Sequence, residues 1–122
     1  MKKVVIKWLD KPAENNYLAA KSYLSLIFDE GEVIHLIDRL SIAPISHIKA
    51  KDIFRASSLS LLGVSNSHVK KDQKKIKEQI SLSPILLVRD TKNGKVIVAD
   101  GYHRLCAIYS YNEDAIMPCK IA

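Results

Sequence analysis

The chain has 122 residues, of which 48% are hydrophobic, and a formal net charge of +6. This length is the size of one domain and too short for two ordinary ones, and the apolar content is sufficient for one core. No apolar run approaches the roughly 18 residues of a membrane span, and the opening segment lacks the apolar length of a secretory signal. The positive charge favours phosphate-bearing partners, either a nucleotide or a polynucleotide, without choosing between them.

The two cysteines, Cys106 and Cys119, do not form a CxxC pair. Neither belongs to a cluster with the spacing of metal ligands, and one pair alone is a poor disulfide framework. We therefore expect a reduced, cytoplasmic protein with no membrane partner.

The first third of the chain is predicted to form a helical hairpin. Apolar residues recur there at helical spacing, namely Tyr17, Ala20, Leu24, Ile27 and Phe28. Asp10 is the predicted N-cap, Pro12 fits the first turn, and Gly31 is the predicted stop. A second helix is predicted over Glu32–Leu40. Residues 1–44 are therefore expected to be a helical extension, and residues 45–122 the core of the same single domain.

The middle of the chain is harder to interpret. Residues 45–54 alternate loosely, which predicts a strand that runs into a loop. Residues 55–68 are rich in serine and give no clear prediction. A helix is predicted to begin near Ser67, its possible cap, with an inner face formed by Val69, Gln73, Ile76 and Ile80.

Lysines crowd the other side of this helix, at Lys70, Lys71, Lys74, Lys75 and Lys77. The simpler interpretation is a solvated outer face. The alternative is an electrostatic footprint for nucleic acid, formed by Lys70, Lys71, Lys74 and Lys75. The run lacks the interleaved aromatic residues on which bases stack.

The last third gives the clearest pattern. Ile85–Val88 is a continuous apolar run, which predicts a strand buried on both faces. Asn93-Gly94 predicts a hairpin turn into a partner strand over residues 95–99. A helix is predicted over Tyr102–Tyr111. Pro118 predicts that Ile116–Ile121 is an edge strand or a short strand.

The segment Asp100–Arg104 lies where the second hairpin strand turns into that helix, and this corner suits a phosphate group. The first N–H groups of a helix are unpaired and carry partial positive charge. Gly101 permits a tight turn, and Arg104 offers a fork of donors that matches phosphate oxygens. His103 adds a donor, or an acid or base near neutral pH. Asp100 is expected either to cap the helix or to hold magnesium against the phosphates.

Each residue of the corner also has an ordinary structural interpretation. His103 alone is more often structural than catalytic, and Arg104 alone is more often part of a surface ion pair. Asp100 alone is most often a cap, and the simplest role for Tyr102 alone is packing against its neighbours. The concentration of such residues at one strand–helix corner favours a functional group, with Arg104 as its main member.

The segment VIVADGYHRLCAI, residues 96–108, resembles the signature of the ParB/sulfiredoxin superfamily. Members of this superfamily place a Gly-x-His-Arg or Gly-x-Arg-Arg box between a strand and a helix. Ser83–Val88 resembles the Pro-hydrophobic strand that precedes the box, and the Lys-rich helix matches the helix before that strand. The resemblance covers roughly residues 45–121. It implies an α+β fold in which helices pack around a small mixed sheet, here preceded by the N-terminal hairpin.

In that superfamily the box binds the phosphates of a nucleotide. The resemblance therefore implies a nucleotide, ATP or ADP with magnesium, held by Gly101, Tyr102, His103 and Arg104 beside Asp100. The box is most similar to the Asp-Gly-His-His-Arg form of the free-serine kinase branch, with Tyr102 in place of the first histidine. Sulfiredoxins carry their catalytic cysteine at that position, so their chemistry is not implied. Cys106 is expected to face the core and cannot replace it.

The kinase branch also uses an early acidic residue as its catalytic base. The nearest candidates here are Asp52 and Glu78, and neither lies in a matching motif. We therefore predict phosphate or nucleotide binding first, with phosphotransfer or nucleotide hydrolysis by His103 and Asp100 as its enzymatic form. A DNA-associated or regulatory protein is the alternative, and an interaction module that has lost its ligand is the third hypothesis.

Overall fold

A four-stranded mixed sheet lies at the centre of the computed structural model, which describes residues 5–60 and 66–122. The strands are β1 (Ser46–Lys49), β2 (Ile85–Asp90), β3 (Lys95–Asp100) and β4 (Ile116–Ile121). The helices are α1 (Glu14–Leu24), α2 (Glu30–Ile42), α3 (Ala50–Ser57), α4 (Ser67–Lys77) and α5 (Tyr102–Tyr111). The strand order is β1-β4-β2-β3, with β4 and β2 parallel and the two outer pairs antiparallel. The predicted α+β class with a small mixed sheet is confirmed.

Strand β2 divides the apolar interior into two layers. Successive side chains of a strand point to opposite faces of the sheet. Leu86 and Val88 accordingly pack with α1 and α2, whereas Ile85 and Leu87 pack with α3, α4 and α5. All four side chains are buried, which confirms the prediction of a strand covered on both faces.

The N-terminal helices α1 and α2 cover one face of the sheet, but their ends differ from the prediction. Helix α1 begins after Ala13, so Asp10 is not its N-cap. Gly31 is not a stop and lies in the first turn of α2. The reason is Asp29, whose Oδ1 accepts a hydrogen bond from the backbone N–H of Glu32 at 2.9 Å and so fixes the start of α2 before the glycine.

The loop predicted after the first strand is wrong, because α3 follows β1 directly. Ala50, Ile53 and Ser57 are buried on one side of this helix, a helical period that the charged residues between them obscure. Residues 61–65, in the serine-rich segment, lie outside the described part of the chain.

Helix α4 begins one residue away from the predicted cap. Asn66 is the N-cap, and its Oδ1 accepts hydrogen bonds from the N–H groups of His68 and Val69. Val69 and Ile76 are buried as predicted, but Ile80 is 47% exposed because the helix ends at Lys77.

The C-terminal hairpin forms as predicted, with Gly94 at a φ of +65° in its turn. The prediction of an edge or short strand is wrong, because β4 lies between β1 and β2 and is as long as β2 and β3. Pro118 is tolerated there because the parallel pairing with β2 begins only at Cys119, one residue later. Among the helices in the described residues, none is long and apolar enough to span a membrane.

Candidate functional site

Gly101 forms the corner between β3 and α5. Its φ of +112° is a conformation that side chains rarely permit, and it is the N-cap of α5. A Cβ atom at this position would collide with Ile85, 2.8 Å from its Cβ, and would lie 2.9 Å from Nη2 of Arg104. The sequence places glycine here because both the turn and the close packing against β2 exclude any side chain.

The first turn of α5 carries no neutralising group from the described part of the chain. No side-chain hydrogen bond caps this helix, and its first turn contains no acidic residue. The predicted role of Asp100 as a cap is therefore wrong. The partial positive charge of the helix start remains available to an anion.

Asp100 instead holds Arg104. Its Oδ2 accepts a hydrogen bond from Nη2 of Arg104 at 2.9 Å, and each side chain is only 16% exposed. The Nε of Arg104 is buried and has no hydrogen-bond partner among the described residues. This is a partly buried pair and not the surface ion pair of the ordinary interpretation. It fixes the guanidinium at the helix start and leaves donors unused.

A cavity of about 180 Å³ opens between α4 and this corner. The corner contributes every residue of the predicted box, Asp100, Gly101, Tyr102, His103 and Arg104. Helix α4 contributes the opposite wall, His68, Lys71, Asp72 and Lys75. These four positions lie three or four residues apart, so they share one side of the helix.

The structure divides the lysines of α4 into two sets. Lys71 and Lys75 line the cavity beside Arg104. Lys70 and Lys74 lie on an outer groove, which Lys71 also borders. Lys74 makes a long, exposed contact of 3.9 Å with Glu78. The sequence alone did not separate the two sets, because both lie outside the apolar stripe of the helix.

His68 and His103, one from each helix, line the cavity and lie in ring contact. Their ring centroids are 4.7 Å apart and the rings are tilted by 35°. Burial lowers the pKa of His103, and the charges of His68 and Arg104 lower it further, while Asp72 opposes them. Near neutral pH His103 is therefore mainly the uncharged imidazole, which can accept a proton.

Tyr102 anchors the helix start against the serine-rich segment. Its hydroxyl donates a hydrogen bond to the backbone carbonyl of Ser60, and burial raises its pKa. It also packs against the core formed by α3, α4 and α5. Packing, the ordinary interpretation, therefore accounts for this ring.

Asp72 is the acidic residue that the sequence analysis missed. Burial raises its pKa, and nearby Arg104, Lys75 and His103 oppose that shift. Asp52 and Glu78, the two acids named from the sequence, are more than half exposed and pair with Arg55 and Lys74 respectively. The signal that was available is the one-turn spacing of His68 and Asp72 on the non-apolar side of α4.

The remaining predicted groups are the candidate metal ligand Asp100 and the two cysteines. In residues 5–60 and 66–122, no group of three or more His, Cys, Asp or Glu side chains is arranged to hold a metal ion. Asp100, predicted to hold magnesium, is engaged by Arg104. Cys106 and Cys119 are both buried, and burial raises the pKa of Cys119 to about 11. That value keeps Cys119 in its thiol form at neutral pH.

Comparisons with known proteins identify no relative of this chain. Neither a family model nor a curated protein nor a solved structure matches it.

Proposed function

We propose that this protein binds the phosphate group of a nucleotide or of another phosphorylated small molecule in the cavity between α4 and α5. The observation that carries the proposal is the convergence of Arg104, Lys71 and Lys75 with the uncapped start of α5 on one cavity. Phosphate is the common biological anion that matches several cations together with a helix N-terminus.

The charge inside the cavity supports an anionic ligand. Arg104, Lys71 and Lys75 carry three positive charges, and Asp72 and Asp100 carry two negative charges, so the balance is +1 with neutral imidazoles. Burial raises the pKa of Asp72, so this carboxyl keeps its negative charge less readily than an exposed one does. An anion that enters the cavity is attracted by cations that already line it, so binding requires no rearrangement to bring them together.

Arg104 is also preorganised for such a ligand. Its contact with Asp100 restricts the guanidinium before a ligand arrives, which lowers the conformational entropy lost on binding. The resemblance of residues 96–108 to the box of the ParB/sulfiredoxin superfamily supports a nucleotide, ATP or ADP, as the phosphate bearer. We also infer that the mixed sheet and its packed helices have the fold of that superfamily.

A phosphotransferase or nucleotide hydrolase is the stronger form of this proposal. A reaction at the bound phosphate needs a group that moves a proton, and the lowered pKa of His103 and its position at the cavity support that role. Asp100 would serve that reaction by holding Arg104 against the phosphate. Magnesium, if the nucleotide brings it, would have to share Asp100 with Arg104.

The test is a thermal-unfolding screen with ATP, ADP, CTP, GTP and inorganic phosphate, each with and without magnesium. A ligand that binds only the folded state raises the melting temperature by mass action. We expect a shift with at least one of these ligands, and its loss in K71Q/K75Q but not in K70Q/K74Q. The control pair removes the same charge from the same helix, outside the cavity. No shift with any ligand would overturn the proposal.

Arg104 needs a gentler substitution than alanine, which would leave the partly buried Asp100 without its partner. Arg104→Lys keeps a positive charge for Asp100 but loses the planar fork. We expect this variant to unfold as a cooperative protein and to bind the same ligand at least about tenfold more weakly, as expected for loss of a charge-assisted hydrogen bond.

A polynucleotide backbone is the second candidate, and one observation favours it. Lys71 borders both the cavity and the outer groove, so the cations continue from Arg104 along α4 to Lys70 and Lys74. DNA binding that weakens steeply with salt, and that K70Q/K74Q weakens as much as K71Q/K75Q, would support this candidate. Equal binding by K70Q/K74Q and the unmodified protein would oppose it.

A further inference from the structure

We propose that the His68–His103 pair takes up one proton when a doubly charged, terminal phosphate group binds, and that the cavity thereby favours phosphate monoesters over the singly charged diesters of a nucleic-acid backbone. The inference rests on the proposed function, since it concerns the same cavity. The inference adds two points, namely that the bound group carries two negative charges and that an imidazole supplies the positive charge that balances the second of them.

The geometry of the pair is the first step. The two imidazoles come from different helices, both line the cavity, and their centroids are 4.7 Å apart. Two positive rings at this distance repel each other, so a proton on one ring disfavours a second proton on the other. The pair therefore favours the uptake of a single additional charge at the cavity.

The charged groups around the pair determine how much of the ligand's negative charge the cavity can balance. Helix α4 presents Lys71, Asp72 and Lys75 to the cavity, the start of α5 presents Arg104 and the hydroxyl-bearing Tyr102, and β3 ends in Asp100. With neutral imidazoles these groups sum to +1. A phosphodiester carries one negative charge and is balanced without a proton. A terminal phosphate dianion leaves one negative charge, which one proton from the solvent, taken up by an imidazole, cancels.

The surroundings of His103 favour this uptake. Burial, His68 and Arg104 keep the pKa of His103 below its usual value, so the unliganded ring is mainly neutral at pH 7. A bound dianion changes the net charge near the rings from +1 to −1 and so raises their affinity for a proton. By linkage, affinity for the dianion must then increase as pH falls, by up to about tenfold per pH unit where the pair titrates.

The experiment uses two probes whose own charge does not change over the pH range, sulfate with two negative charges and methyl sulfate with one. Binding is measured by calorimetry between about pH 8 and pH 6, the range of imidazole titration. We expect sulfate to bind up to about tenfold more tightly per pH unit and methyl sulfate to show little pH dependence. Repeating the titration in buffers of different ionisation enthalpy should give about one proton taken up per sulfate.

The four histidines of the chain provide a matched control. His35 and His47 are exposed on α2 and β1 and do not line the cavity, whereas His68 and His103 do. We expect H68Q/H103Q to bind sulfate with no pH dependence and H35Q/H47Q to keep the full dependence. Imidazole nitrogen shifts of the unmodified protein, recorded with and without sulfate, give the same answer without any substitution.

The outcomes separate this inference from the proposed function. Sulfate binding that is independent of pH, or a pH dependence that survives H68Q/H103Q, overturns the proton uptake and leaves phosphate binding standing. Equal affinity for methyl sulfate and sulfate at the acidic end overturns the preference for a terminal group. If neither anion binds, in agreement with a negative nucleotide screen, the proposed function fails and this inference fails with it.

Discussion

The starts of α2 and α5 both leave backbone N–H groups without helical partners, but the residues around them differ in opposite ways. At α2, Asp29 caps the helix, and Glu30 and Glu32 place further negative charge in the first turn. At α5, the described residues supply neither a cap nor an acid, and Arg104 adds positive charge instead. The three remaining helices each have at least one of these two devices, an acid in the first turn of α1 and α3 and the Asn66 cap of α4.

This difference separates a helix start that serves stability from one that is available for binding. A cap and first-turn acids stabilise a helix by neutralising its exposed N–H groups. Omitting them costs stability, and the omission at α5 coincides with the cavity that collects Lys71, Lys75 and Arg104. The charge of a first turn therefore indicates which helix start can attract an anion. The side chains of the facing helix then decide whether a binding site forms there.

The largest expected effect is that of Gly101→Ala, which attacks the α5 corner directly. The new Cβ would lie 2.8 Å from the Cβ of Ile85 at a φ of +112°. Backbone strain and overpacking together should lower the free energy of unfolding by about 3 kcal/mol. Urea denaturation measures this. Gly94→Ala, at a φ of +65° with open space around it, is the control and should cost only about 1 kcal/mol. Equal losses would mean that the contact with Ile85 does not constrain the corner.

An intermediate effect is expected at the other helix start. Asp29→Ala removes the oxygen that accepts the Glu32 N–H and should lower the free energy of unfolding by about 1 kcal/mol without changing sulfate affinity. Asp10→Ala is the matched control, because Asp10 is exposed and caps no helix, and it should change stability by less than about 0.5 kcal/mol. A change in sulfate affinity in Asp29→Ala would contradict the separation of the two helix starts.

The smallest effect concerns the pH dependence of the unliganded protein. The pKa of His103 is held below its usual value of 6.5, so the unfolded chain binds a proton at this residue more readily than the folded protein does. Its stabilising contribution is present above pH 6.5 and is lost as pH falls through the lowered value. His103→Gln should therefore make stability decline less between about pH 7.5 and pH 5.5. Urea denaturation at both pH values checks this, and a steeper decline in the variant would contradict the shift.

Prediction from the sequence succeeded where a signal is local. The apolar run of Ile85–Val88 and the Asn93-Gly94 turn each fix an element through neighbouring residues, and the hairpin formed as predicted. It failed where distant contacts decide. Pro118 indicated an edge or a short strand, yet β4 is central, because the register with β2 begins after the proline. The helix at Ala50–Ser57 was missed because only packing reveals which of its residues are buried.

The sequence by itself determined the corner at Gly101 and the presence of Arg104 in the first turn of α5, since glycine geometry and helix periodicity are properties of adjacent residues. Only the tertiary structure decided what faces that corner. The packing of α4 against α5 brings His68 and Asp72 to the cavity and divides the lysines into an inner and an outer set. No local pattern encodes this, because the rotation of one helix about its axis relative to another depends on how both bury their apolar sides against the sheet.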